Sequence, residues 1–470
     1  MTAHILTDSN VLDTPTSLSA REVYHDLFGD GGDLPKRKQA AHYLNLKLEE
    51  ASGLPCDLPD SMDELVAWME RSTEEVGRRY HEYLEARKAG APRRFFPSKS
   101  SALHFIKLVA PTKLVDGAWL YGLLPHWQDA RFDALIQTYI EELGEGLPTK
   151  NHVVLYRKLL ASQGLEHFEP LDDDHFTQGA IQLALAYNAD HFLPEVIGFN
   201  LGYEQLPLHL LITAYELQEL GIDPYYFTLH VTVDNADSGH ARKAVDAIFQ
   251  TMPRLGDANE WLRRVRNGFL LNELGASTNS VIQSFDLKSE LVAIFERKGV
   301  VGQFAHSDYR RVSERTVNDW LANPLEAGDF LAQMEREGWF KRHEDPRGSR
   351  FWKLIEGERA KMFGVFSAYE KQVIYDWIAG DALGTLELTR DARAADALAA
   401  KQRLRAMPVA LNGQNGASDF DDEANAVRRQ LAETESQAEA VDLLIELLSP
   451  ARHHSAAGLV ATRTFNDMLA

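Results

Sequence analysis

The chain has 470 residues, 44% of them hydrophobic, enough to bury a large core and, on length alone, to form roughly two to four structural units. A formal charge of −21 argues against nucleic acid or an anionic membrane as the main partner, because phosphate binding needs clustered Lys and Arg. The single cysteine, Cys56, excludes an internal disulfide and any thiolate-rich zinc or iron–sulfur site, fits a reducing cytoplasm, and leaves His, Asp and Glu to hold any metal.

From the start, MTAHILTDSNVLDTP lacks a basic segment followed by an apolar run, and no later stretch approaches about 18 consecutive apolar residues, so neither a secretion signal nor a membrane span is expected. Apolar residues at three- and four-residue steps predict helices in REVYHDLF, QAAHYLNLKLEEA, MDELVAWMERSTEEVGRRYHEYLEARKAG and FDALIQTYIEEL. Asp60 or Ser61 is placed to cap the long helix that begins near Met62, and Gly90 with Pro92 ends it. Residues 1–95 therefore read as an N-terminal helical extension. A second helical block, 96–275, is punctuated by GEGLPTKN, FEPLDDD and LGIDPYY. Residues 276–380 read as shorter helices plus a hairpin, with strands expected at GWFKR and SRFWKLI around EDPRG. This smaller C-terminal module resembles a winged helix but lacks a basic recognition helix, which favours a structural or dimerisation role over DNA binding. The remaining 381–470 form an Ala- and charge-rich helical tail, expected to be partly disordered or packed on another subunit.

Three segments carry chemistry. In YFTLHVTVDNADSGHARKAV, His230, Asp234, Asp237 and His240 follow at four-, three- and three-residue steps, which on one helix places them on one face. Such a face is costly to bury unless its groups bind metal or pair with each other, and a solvated polar face is the plainer alternative. In TYIEELGEGLPTKNHVVLYRKLL, Glu142 and His152 lie ten residues apart across Gly144, Gly146 and Pro148, with Glu141 and Glu145 as alternatives. In VIGFNLGYEQLPLHLL, Glu204 is the only acidic residue between Glu195 and Glu216, so it is either paired inside or a ligand. His209, five residues on, reads as a core or surface histidine. Tyr203, Phe199, Tyr226 and His209 stand near these positions as pocket residues or simply as core. Carboxylates and imidazoles from separate helices suit iron or manganese, and a helical bundle can aim several at one point, which predicts two metals.

At these segments the sequence resembles the haem-oxygenase-like diiron oxidases, the iron-containing redox enzymes. Glu142 with His152, Glu204 ahead of Pro207, and His230 with Asp234 match the family's pattern over roughly residues 100–250. One position departs: where the family has its last histidine, three residues after the aspartate, this chain has Asp237, with His240 three further on. The resemblance thus implies a mainly α, haem-oxygenase-like bundle with metal ligands Glu142, His152, Glu204, His230, Asp234 and His240, Asp237 being the alternative to His240. It implies two irons per chain, cycling between Fe(II) and Fe(III), that use dioxygen to oxidise an amine, amino acid or fatty acid by N-oxygenation, desaturation or C–C cleavage. A non-catalytic metal-binding or interaction protein of the same fold is the competing reading, because two hundred residues beyond the bundle fit partner contact, domain docking or a homodimer interface. A metal-free hydrolase of the thiaminase-like type would need a nucleophile in the bundle, and Cys56 lies outside it.

Overall fold

The computed structural model describes residues 18–29, 31–166, 171–233, 239–302, 306, 309–357, 360–384, 386 and 421–469. Its helices start where the local chemistry supplies caps. Asp33 accepts from the Lys36 amide at 3.0 Å to open Leu34–Ser52, and Ser61 caps the short turn Met62–Glu64 that leads into Leu65–Lys88. One of the ties between this N-terminal extension and the bundle is a buried carboxylate. Glu216 accepts from the Tyr83 hydroxyl at 2.8 Å and from the amides of Phe95 and Phe96 at 2.9 and 2.8 Å.

The bundle runs from Lys99–Leu108 through Asp133–Glu142, His152–Gln163, Thr177–Asn188, Leu193–Tyr203, Leu208–Glu219, Tyr225–Val233 and His240–Thr251 to Ala258–Leu270. Trp119, Tyr139, Tyr156, Phe199 and Phe227 are among its largest fully buried side chains. Leu193–Tyr203 and Ala258–Leu270 pack at very short range. Gly198 lies against the Val265 carbonyl and Gly268 against the Glu195 backbone, contacts a β-carbon on either glycine would block. That crossing fixes the helix whose C-cap is Glu204.

In the C-terminal module the only strands among the described residues are Arg311–Val312 and Arg315–Thr316, an antiparallel pair. The strands expected at GWFKR and SRFWKLI do not form a ladder. Trp352–Ile355 is a helical turn, and the two segments are joined by hydrogen bonds from the Phe351 amide to the Trp339 carbonyl at 3.0 Å and from the Lys341 amide to Ser349 Oγ at 2.9 Å, which is not a ladder. Tertiary packing overrides the local β propensity there, because Phe340 and Phe351 stack into a cluster with Phe295, Phe366 and Trp377. Asp376, buried in Ala368–Ala379, accepts from the Ser100 amide at 2.8 Å and ties the module to the first bundle helix. Residues 421–469 of the tail pack on the bundle of their own chain through Gln437–Leu447 and Ala456–Leu469, and Asp422–Glu433 packs on Ala456–Leu469. Among the described residues no helix is long and apolar enough to cross a membrane.

Candidate metal centre

Five of the six predicted ligands come together. Glu142 ends the helix Asp133–Glu142, and His152 opens His152–Gln163 after the turn Gly144–Gly146. Glu204 sits at the C-cap of Leu193–Tyr203, and His230 lies in the last turn of Tyr225–Val233. His240 is the first residue of His240–Thr251. The single continuous face expected for His230 to His240 does not hold, because Gly239 has extended backbone and caps a new helix. Asp234 and Asp237 lie outside the described residues. Of the alternatives, Glu145 pairs with Lys150 away from the centre, and Glu141 contacts His240.

The sixth group found is Asp116, which the sequence reading missed. It is the only acidic residue between Glu85 and Asp129, the same isolation that singled out Glu204. The ligand atoms form two sets, Asp116, Glu142, His152 and His230, and then Glu142, Glu204 and His240; within each set they lie within 4.8 Å of one another, and Glu142 belongs to both. All six residues are buried, none more than 5% exposed.

Proton placement shows what these atoms are prepared for. His230 Nδ1 is 2.9 Å from the Tyr226 carbonyl, which can only accept, so the hydrogen is on Nδ1. Its Nε2 then points at Asp116 Oδ2, 3.1 Å away, an approach that requires a doubly protonated ring or a cation between the two atoms. His240 is held similarly, with Nε2 2.9 Å from Glu141 Oε2 while Nδ1 faces Glu204 Oε2 at 3.1 Å and Glu142 Oε1 at 3.3 Å. Lys243 anchors Glu141 with both carboxylate oxygens at 2.6 Å. A carboxylate behind a histidine fixes its tautomer and aims the other nitrogen at a metal. Glu142 Oε2 and His152 Nδ1, both buried, abut each other at ion-pair range, and neither has a hydrogen bond of ordinary geometry. A buried carboxylate oxygen and a buried imidazole nitrogen converging on one point, within a larger set of such atoms, are suited to a common cation, so these residues fit a metal.

Tyr203 and Tyr226 donate their hydroxyls to Asp116 Oδ1 and Oδ2, the first at 2.7 Å, and Lys113 Nζ is 3.0 Å from the Tyr203 oxygen. Burial pushes the Asp116 carboxyl up, but the Lys113 charge together with His230 and His152 outweighs it and holds the group well below the usual carboxylate range. Burial likewise opposes ionisation of Glu142, and the neighbouring His152 and His240 outweigh it and hold the carboxyl below its usual range. Of the remaining expected pocket residues, Phe199 packs edge-on to Trp119 in the core, and burial pushes His209, beside the Lys113 charge, down to about 4.

Residues 103–272 match the model of the iron-containing redox enzyme family, and every ligand atom above falls within them. That stretch is a haem-oxygenase-like helical domain of this family, and its buried His, Asp and Glu cluster is where iron would be held. No curated protein and no solved structure matches the chain.

Proposed function

We propose that the protein is a non-haem diiron oxidase that uses dioxygen to oxidise a small organic substrate, an amine, amino acid or fatty acid, in the cytoplasm. The observation that carries this reading is the presence of two buried ligand sets that share Glu142, so that Asp116, Glu142, His152 and His230 would hold one ion and Glu142, Glu204 and His240 a second. Iron bound there supplies the dioxygen-activating redox chemistry that no side chain offers. The chain's own residues prepare the place. The Tyr226 carbonyl and the Glu141 carboxylate orient His230 and His240, and the burial of all six groups excludes bulk water. Tyr203 and Tyr226 hold protons against Asp116 Oδ1 and Oδ2, the edge of the centre where Lys113 adds a positive charge. N-oxygenation, desaturation and C–C cleavage are the outcomes such a centre supports, depending on which substrate atom is held nearest the oxidant.

The test is dioxygen consumption by the Fe(II)-loaded protein against panels of amines, amino acids and fatty acids. Uptake that depends on one class, and is lost in His230→Ala, supports the oxidase. Iron binding with no substrate-dependent uptake from any class supports a non-catalytic metal-binding protein instead.

A further inference from the structure

Beyond residues 103–272, one buried histidine reaches the structure that supports the metal centre. His453 lies between Gln437–Leu447 and Ala456–Leu469, 2% exposed, with Nδ1 3.1 Å from Nδ2 of Asn151. An amide nitrogen only donates, so His453 Nδ1 accepts and the ring hydrogen sits on Nε2. Asn151 itself is fully buried and immediately precedes His152. Its Oδ1 accepts from the Val154 amide at 3.0 Å, capping the helix that begins with His152. Its Nδ2 also reaches the carbonyl of Leu143, next to Glu142, at 3.1 Å. One side chain therefore joins the end of the Glu142 helix to the start of the His152 helix, and His453 is its outer partner.

The same segment meets this corner at other points. Tyr139, three residues before Glu142, donates its hydroxyl to the Leu448 carbonyl at 2.6 Å. Gly146, in the turn that links the two ligands, has φ 77° and lies so close to the Leu459 carbonyl that a β-carbon would collide with it.

We propose that residues 421–469 clamp the metal centre from behind, and that His453, acting through Asn151, is a positioning residue for the Glu142–His152 pair. This rests on the reading that Glu142 and His152 hold metal. Without an acceptor at His453, the Asn151 amide keeps only the Leu143 carbonyl as a partner for its hydrogens. The cap on the His152 helix loosens with it. The matched stretch 103–272 is thus an incomplete metal domain without the tail.

The test uses the full chain and Co(II) as the probe, read by its visible ligand-field absorption under anaerobic titration, with thermal melting of the metal-free proteins alongside. His453→Leu removes the acceptor and is expected to melt lower than wild type but still cooperatively, while binding Co(II) at least tenfold more weakly with an altered spectrum. His453→Asn places an amide oxygen where Nδ1 stood and is expected to restore both. Asn151→Asp keeps the helix-cap acceptor, loses the donor, and is expected to alter the spectrum in the same way as His453→Leu; it decides the matter if His453→Leu does not fold. Wild-type affinity and spectrum in His453→Leu, or in Asn151→Asp, would overturn the proposal. So would a loss that His453→Asn does not recover. If wild type itself binds no Co(II), the metal reading fails and this inference falls with it.

Discussion

Gly117→Ala tests whether the backbone beside Asp116 and the Glu142 helix are built as one unit. Gly117 has φ 81°, a left-handed conformation that disfavours a side chain by about 1–2 kcal/mol. A β-carbon there would also lie 2.9 Å from Glu142 Cβ and 3.1 Å from its Cγ. Those atoms belong to the rigid base of the side chain, so relief requires the ligand helix to move, and overpacking of this kind costs about 1–3 kcal/mol. Together the substitution should destabilise the protein by roughly 2–5 kcal/mol and weaken metal binding. Gly90→Ala is the matched control, because Gly90 has φ 92° but nothing within 4 Å of the added carbon, which leaves the strain alone. Urea unfolding and anaerobic metal titration of both variants give the comparison. The reasoning is refuted if Gly117→Ala loses no more stability than Gly90→Ala, or if it loads metal as wild type does.

Asp116→Ala removes the shared acceptor of the Tyr203 and Tyr226 hydroxyls, which also faces His230 Nε2, and should lower the bound metal by about one ion per chain; elemental analysis of the loaded variant checks this. Tyr139→Phe deletes the buried bond to the Leu448 carbonyl and should cost about 1–3 kcal/mol in urea unfolding, since the carbonyl is left without that donor. Acid should destabilise the metal-free protein in two stages. Burial holds His104, His209 and His454 at about 4, against an ordinary 6.5, so their contribution is whole above 6.5 and is lost as pH falls toward 4. Glu141, opposed by burial but brought from 4.5 to about 2 by His240 and Lys243, contributes above 4.5 and loses that contribution as pH falls toward 2. Thermal melts on acidification below 6.5 should show both declines, and a melting temperature flat from 6.5 to 4 would contradict the first.

Much of this was legible in the sequence. Helical periodicity and a cap at Asp60 or Ser61 follow from spacing, whereas the grouping of Glu142, His152, Glu204, His230 and His240 is what the family resemblance implied, spacing alone leaving Glu141 and Glu145 open. Asp116 carried the same isolation signal but stood far from any histidine, so only the fold reveals its partners. At Gly239 the sequence suggested a local bulge in one ligand helix, since His230 to His240 keep helical spacing, whereas Gly239 has extended backbone and caps a new helix. The strands expected near Trp339 and Phe351 failed for a tertiary reason, the aromatic cluster that claims both segments. The tail contact through His453 could not be read locally at all, since it joins residues 302 positions apart.

The most direct test of the diiron account is the iron stoichiometry of the full chain under anaerobic Fe(II) titration, for wild type, His230→Ala and Glu204→Ala. The account predicts two irons per wild-type chain, a transient visible absorption on mixing with dioxygen, and loss of that absorption in both variants. No iron binding, or binding indifferent to either substitution, would contradict it.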